Sequence, residues 1–343
     1  MPAAPDFGPV TAGPLPVLAP ARPSLASAAM PRTAPLVVVL AALACALSGL
    51  PGSTEPPARA AATPLHTQRA RVLFVADGDT LRARLSDGSE RLIRFTGVNA
   101  PEIHTYKVRT AQVRGDCQSV AALRLVRNLL PIGSRVDLLA QNMASETGSR
   151  HRLRRLVWRL QPPHNVAAEE LRRGLALWLP NRVENDDDAL FRSLAQRALS
   201  DHIGMYNPFA CQGAPQPEDQ PYLRLFVHPD AYRNDRRNLN DEYISLSLAF
   251  GAPAPLHLGG WFVRDSALRR PVGPVPGLPF PADAVLYPGQ TVAVRVGCGP
   301  SNTPGEYTGG SLYWCDPAPM FENSGDGGYL FDPVGNLRAG YIY

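Results

Sequence analysis

The sequence predicts a multi-domain chain: an α+β domain built on a small β-barrel with three helices, followed by an all-β sandwich. Three observations predict it. Between residues 71 and 95, apolar runs are joined by two Asp-Gly turns, and from residue 116 the apolar spacing changes to the helical period. Beyond residue 222, apolar and polar residues alternate with a period of two, as strands with one buried face do. Between the two regions, residues 212–221 (QGAPQPEDQP) have the composition of a linker.

The chain has 343 residues, enough for two domains and processing segments. With 45% hydrophobic and 19% charged residues it reads as a soluble globular protein, which excludes a disordered or bilayer-embedded chain. The 36 prolines and 29 glycines gather before residue 65 and after residue 205, where they mark tails and turn-rich β structure. The net charge is +4, and Lys107 is the only lysine. Arginine offers a planar fork that grips phosphate bidentately, as lysine does not. From Arg109 to Arg173 basic residues outnumber acids, which suits a polyanionic partner; on charge alone a solvated basic face explains it equally.

Residues 1–60 read as an N-terminal extension and signal peptide. Met30 is the expected start, followed by Arg32 and the apolar run APLVVVLAALACALSGL. Ala58-Arg59-Ala60 supplies a cleavage site, so the mature chain is expected to begin near Ala61 and to be secreted. An uncleaved anchor, which leaves the protein on the cell surface, and a lipoprotein attached at Cys45 are the competing readings. Of the five cysteines, Cys45 falls in this segment. The other four are expected to form two disulfides. Cys117–Cys211 and Cys298–Cys315 are favoured among three connectivities, because each pair then lies within one domain.

The first domain is placed at residues 61–211. RVLFVADGDTLRARL is a hairpin around Asp77-Gly78, and Asp87-Gly88 turns into a third strand, ERLIRFTGV. Val120, Leu123, Val126 and Leu130 recur at helical spacing, and Pro131 ends that helix. SRVDLLA and RRLVWRL are two further strands. NVAAEELRRG is a short helix with Gly174 placed to cap it. A third helix starts near Asn185 and carries Leu190, Leu194 and Ala198 on one face; its acidic start, Asn185 to Asp188, is explained by capping and the dipole rather than by a metal. Five strands and three helices fit a small, partly open barrel of the OB type. The second domain is placed at residues 222–343. Ile244, Leu246, Leu248 and Phe250 alternate with polar or small residues, as do Val292, Val294 and Val296, and the end YLFDPVGNLRAGYIY forms a hairpin. The expectation is a sandwich of about 100 residues with Trp261 in its core. Asp326 and Asp332 are read as turn formers.

Three strings carry candidate chemistry: ADGDT (76–80), RFTGVNAPE (94–102) and HRLRRLVW (151–158). Asp77 and Asp79 bracket a glycine, so two carboxylates can approach one point, and hard oxygen ligands of this kind suit Ca²⁺ or Mg²⁺. Asn99 adds an amide oxygen and Ala100 a backbone carbonyl. Glu102, stiffened by Pro101, can accept a proton from water. Arg94 directs a guanidinium toward the same region, suited to the charge that grows on a phosphodiester under attack.

In order and spacing these strings resemble the thermonuclease (staphylococcal-nuclease-like) family over residues 69–209. The resemblance implies Asp79, Asn99 and the Ala100 carbonyl as Ca²⁺ ligands, with Asp77 in support. It implies Arg94 as a phosphate-binding arginine and Glu102 as the general base. Arg152 is implied as the second catalytic arginine, with Arg154 as the alternative, because the string before that strand is altered to GSRHRLRR. Asn99 stands where the family carries an aspartate. Residues 222–343 resemble a lamin-tail domain, an immunoglobulin-like sandwich, through NLNDEYISLSLAF, LGGWFVRD, LYPGQTVAVRVGCG, LYW and NSGDGGYLFDPVGN; that resemblance supplies no catalytic residue. The expected function is a secreted, monomeric, Ca²⁺-dependent nuclease acting on DNA and RNA, with a C-terminal module that binds DNA, protein or cell envelope. The alternatives are an inactive extracellular nucleic-acid-binding protein that uses the barrel as a grip, and an envelope adhesion module.

Overall fold

The computed structural model describes residues 65–103, 105–106, 112–113, 115–147, 151–211, 216–230, 234–267 and 277–343. The signal segment and the Met30 start lie outside the described residues. The principal strands of the first half are β1 (His66–Val75), β2 (Thr80–Leu85), β3 (Glu90–Phe95), β4 (Arg135–Ala140) and β5 (Arg152–Leu160). β1, β2 and β3 form the expected antiparallel meander. β4 pairs with β1, and β5 pairs parallel to β3 and antiparallel to β4. The pairing therefore runs β5-β3-β2-β1-β4 and returns to β5, a closed ring. The period of two puts Leu81, Ala83 and Leu85 of β2 inside and leaves Arg82 and Arg84 exposed. Val72, Ile93, Val136, Leu138 and Val157 complete the interior.

Three helices are described: α1 (Ser119–Leu129), α2 (Val166–Arg172) and α3 (Asp188–Ser200). α2 starts as its sequence implies: the Asn165 side chain accepts the Ala168 N–H at 3.2 Å. It ends at Gly174, whose φ of +60° favours glycine. The faces of the other two helices differ in part from expectation: Val126, Leu130 and Ala198 are buried as read, whereas Val120 and Leu190 are not. In α1, Ala122, Leu125 and Val126 are buried and Val120 is half exposed; in α3, Phe191, Ala195 and Ala198 are buried and Leu190 is half exposed. The buried stripe of each helix mixes large and small side chains, Leu125 and Phe191 beside Ala122 and Ala195, and lies a step around the helix from the one read in the sequence. Nor does α3 receive a side-chain cap at Asp187. Its acidic start serves neighbouring groups instead: Asp187 Oδ2 accepts the side-chain Nδ2 of Asn165 at 3.0 Å and Asp188 Oδ2 accepts the backbone N–H of Asn181 at 3.3 Å.

The second half carries β6 (Leu223–His228), β7 (Tyr243–Leu248), β8 (Phe262–Asp265), β9 (Thr291–Arg295), β10 (Gly327–Phe331) and β11 (Leu337–Ile342). One sheet contains β6-β7-β9 and two short strands, and a second contains β8-β10-β11 with Leu278–Pro279 at its edge. Leu223, Leu225 and Val227 of β6, together with Ile244, Leu246 and Leu248 of β7, share a core with Trp261 and Trp314. Phe250 does not continue that face: it lies beyond the end of β7 and is 88% exposed. Asp332 holds the last turn by accepting the N–H groups of Val334 and Asn336, and it also forms a fully buried pair with Arg338 at 3.4 Å. Both cysteine pairs are joined as expected, Cys117–Cys211 and Cys298–Cys315.

The fold is mixed α+β and rich in strands, with several sheets. Ala60–Tyr343 holds together as one unit. Phe262, Tyr329, Phe331, Leu337 and Ile342 of the second half pack into the same core as the barrel and α3. The expected linker contains a 3₁₀ turn, Pro217–Tyr222, in which Asp219 is buried and Gln220 Nε2 donates to the Arg338 carbonyl at 2.6 Å. Among the described residues no helix is long and apolar enough to cross a membrane.

Candidate functional site

The turn between β1 and β2 builds the centre. Asp77 Oδ1 accepts the Asp79 N–H at 3.1 Å, the local bond that aspartate makes in tight turns. Gly78 is required by proximity: a Cβ there would stand 2.5 Å from Ala100 Cβ and 2.9 Å from Ala122 Cβ. The turn can thus press against both α1 and loop 98–102. Asp79 is buried, and its carboxylate is heavily used. Oδ1 accepts Thr80 Oγ1 at 2.9 Å, Oδ2 accepts the Ala100 N–H at 2.8 Å, and Oδ2 also pairs with Arg94 Nη1.

Antiparallel register sets Arg94 opposite Thr80, so the β3 arginine reaches the β2 turn. Its other nitrogen, Nη2, donates to Asn99 Oδ1 at 2.8 Å. Asn99 is fixed by the Val98–Asn99 strand, which pairs with Leu177–Trp178 just after α2. Its Nδ2 donates outward, to the Ser266 carbonyl at 2.8 Å. Arg152, at the start of β5, joins through Thr80: Nη1 lies 3.3 Å from Thr80 Oγ1 and Nε 3.2 Å from Thr147 Oγ1. Arg154 stands opposite Arg94 in the parallel register of β3 and β5. Glu102 is half-buried and clamped by Asp116, whose Oδ2 accepts the Glu102 N–H at 3.1 Å and whose N–H donates to the Glu102 carbonyl at 2.8 Å.

Electrostatics follow from burial. Desolvation, with the charges of Asp79 and Glu102 nearby, pushes the Asp77 carboxyl up to about 7, against the pull of the Asp79 N–H. Sequence reasoning missed a third acid here. Glu170 of α2 is fully buried, and neither of its oxygens has a hydrogen-bond partner among the described residues. Burial first, then Asp79 and Asp77, drives its carboxyl well above the ordinary range, with Arg94 opposing. A signal for it existed: position 170 shares a helical face with Val166, Ala167 and Leu171, all buried. Asp116 and Ser266 were also missed. They reach the site only through tertiary structure.

The structure therefore brings together Asp77, Asp79, Arg94, Asn99 and Ala100, links Arg152 through one hydroxyl, and sets Glu102 within the electrostatic range of Asp77. Among the described residues no three His, Cys, Asp or Glu side chains are placed as a metal cluster. The donor set for a cation would be one carboxylate, one amide oxygen and a backbone carbonyl. That set fits a hard cation in one tested respect, since Asp79 Oδ2 and Asn99 Oδ1 converge on a single positive group, the Arg94 guanidinium. Comparison with known proteins adds no relative: no protein-family description matches the chain, and no curated protein matches it.

Proposed function

We propose that this chain is an exported, Ca²⁺-dependent nuclease that hydrolyses phosphodiester bonds of DNA and RNA. On this reading the ring of five strands is an OB-type barrel of the thermonuclease kind, and the second half is an immunoglobulin-like, lamin-tail-like sandwich. One observation carries the proposal: a guanidinium bridges the Asp79 carboxylate and the Asn99 amide oxygen, with a second guanidinium one hydroxyl away. Partly buried arginines converging on hard oxygens are the devices that stabilise charge developing on a phosphoryl group.

Asp79, Asn99 and the Ala100 carbonyl would hold Ca²⁺, which supplies Lewis-acid charge to a phosphate oxygen when bound. Arg94 and Arg152 bind the non-bridging oxygens and neutralise the charge that grows there. Glu102, on a loop stiffened by Pro101 and clamped by Asp116, orients the attacking water and accepts its proton. Asp77 and Glu170, held toward their neutral forms by burial, add little repulsion against the phosphate.

The test uses purified chain and single-stranded DNA, with Ca²⁺ or with chelator. Glu102→Gln and Arg94→Ala should each lower cleavage by about 10²–10³, and activity that survives both changes would refute the assignment. A second reading, a nucleic-acid grip without chemistry, is favoured by Asn99 standing in place of an acid. It predicts binding of single strands that chelator leaves intact, and no cleavage under either condition.

A further inference from the structure

Loop 98–102 carries two of the site residues, Asn99 and Glu102, and both are held from outside the barrel. β8 belongs to the second half and leaves its sheet at Asp265-Ser266, beside this loop. The Ser266 carbonyl accepts the Asn99 amide. Two residues earlier, Arg264 is almost wholly buried against the Phe331 ring, 4.9 Å away, and one of its nitrogens lies 3.8 Å from Asp116 Oδ2. That same oxygen accepts the Glu102 N–H. One strand end thus grips both arms of the loop, through a direct bond at Asn99 and through Asp116 at Glu102.

We propose that Arg264 and Ser266 are positioning residues of the nuclease site, so that the C-terminal module completes the site rather than merely accompanying it. The proposal rests on the nuclease reading and deepens it. An amide at position 99 can give a hydrogen to the Ser266 carbonyl and keep its oxygen turned inward to Arg94. An aspartate has no hydrogen to give. It would set a carboxylate oxygen against a carbonyl oxygen in a buried place and leave that carbonyl unpaired. Asparagine at position 99 is therefore specified by the module that abuts it, and restoring an acid there does not restore a better cation site.

The experiment uses the full chain with three variants, Asn99→Asp, Arg264→Met and Asp79→Asn. Ca²⁺ affinity is measured by titration calorimetry, melting temperature by circular dichroism, and kcat and KM on single-stranded DNA. Asn99→Asp should bind Ca²⁺ no more tightly than the parent and should melt several degrees lower. Arg264→Met keeps the apolar contact with Phe331 but loses the grip on Asp116. Its kcat should fall about tenfold, with KM and Ca²⁺ affinity within about twofold of the parent. If Asn99→Asp binds Ca²⁺ about tenfold more tightly with an unchanged melt, or if Arg264→Met keeps the parental kcat, the proposal is overturned. Should Asn99→Asp not fold, Arg264→Met decides alone. Asp79→Asn separates the two levels: parental Ca²⁺ affinity in that variant defeats the cation reading itself, while the melt of Asn99→Asp still reports on the junction.

Discussion

Replacing Glu170 by leucine should stabilise this protein. Glu170 is fully buried in α2, and among the described residues neither oxygen has a hydrogen-bond partner. Its Oε1 lies only 3.2 Å from where a Cβ on Gly78 would sit, pressed against the Asp77–Asp79 turn. Burying a polar group without a partner costs about 1–3 kcal/mol by mutational measure. Leucine removes that cost. It has a volume similar to glutamate, so the overpacking that attends larger insertions is largely avoided, and it makes apolar contacts with the surrounding core. A net gain of about 1–3 kcal/mol is expected at neutral pH.

The pH dependence gives the sharper test. Burial raises this carboxyl well above its ordinary 4.5, so the folded state keeps a proton that the unfolded state releases as pH rises past that value. Stability contributed by the bound proton is present at low pH and lost as pH climbs. Leucine cannot titrate, so its advantage should be smaller at pH 5 than at pH 8. Urea unfolding of parent and variant at those two pH values, with disulfides intact, measures both quantities. A leucine variant less stable than the parent at pH 8, or an advantage equal at both pH values, would show that the carboxyl is compensated in the folded state.

Two further outcomes are expected. Burial, aided by Asp265, pushes Asp326 from 3.8 up to about 7, so the stability that its proton contributes is full below about pH 4 and is lost as pH rises through about 7. The shift is worth at most about 4–5 kcal/mol at about 1.4 kcal/mol per pKa unit. Asp326→Asn keeps an oxygen for the Gly327 N–H, which Asp326 accepts at 2.7 Å, and should flatten the fall in melting temperature between pH 5 and 8; parallel slopes in parent and variant would contradict the assignment. Arg94→Ala frees Asp79 Oδ2 and Asn99 Oδ1, so Ca²⁺ affinity in calorimetry should rise by about 3–10-fold even as cleavage is lost; weaker Ca²⁺ binding would mean that the guanidinium does not compete for those oxygens.

The strands were readable because their signal is local. TLRARL alternates strictly, and each Asp-Gly pair marks a turn without reference to anything distant. Helix faces were less readable, because apolar spacing marks a stripe but does not fix which neighbouring step around the helix meets the core. Val120 and Leu190 face outward, while Ala122 and Ala195 touch the core. Phe250 continues an alternating pattern in sequence but lies past the end of its strand. The site divides along the same line. Asp77, Asp79, Arg94 and Asn99 lie on one hairpin, the next strand and the loop after it, so spacing alone brings them near one another. Glu170, Asp116, Arg264 and Ser266 arrive from a helix, a loop and a remote sheet, and no spacing rule links them to the turn.

Asn99 and Glu170 make physical sense as a pair. The resemblance places an acid at position 99, and this chain lacks it. The structure instead sets an acid at position 170, beside the same turn, where its charge would act on Asp79, Arg94 and Asp77. A carboxylate at 99 as well would put a fourth acid near the Arg94 guanidinium in a largely buried place. Like charges in such a place force protons onto one another's carboxyls rather than sharing a cation. An amide at 99 avoids that crowding, keeps an oxygen for Arg94, and provides the hydrogen that the Ser266 carbonyl takes. The loss of charge at 99 is thus coupled to two features of this chain, a buried acid beside the turn and the Ser266 carbonyl that takes the Asn99 hydrogen. Neither can be judged from position 99 alone.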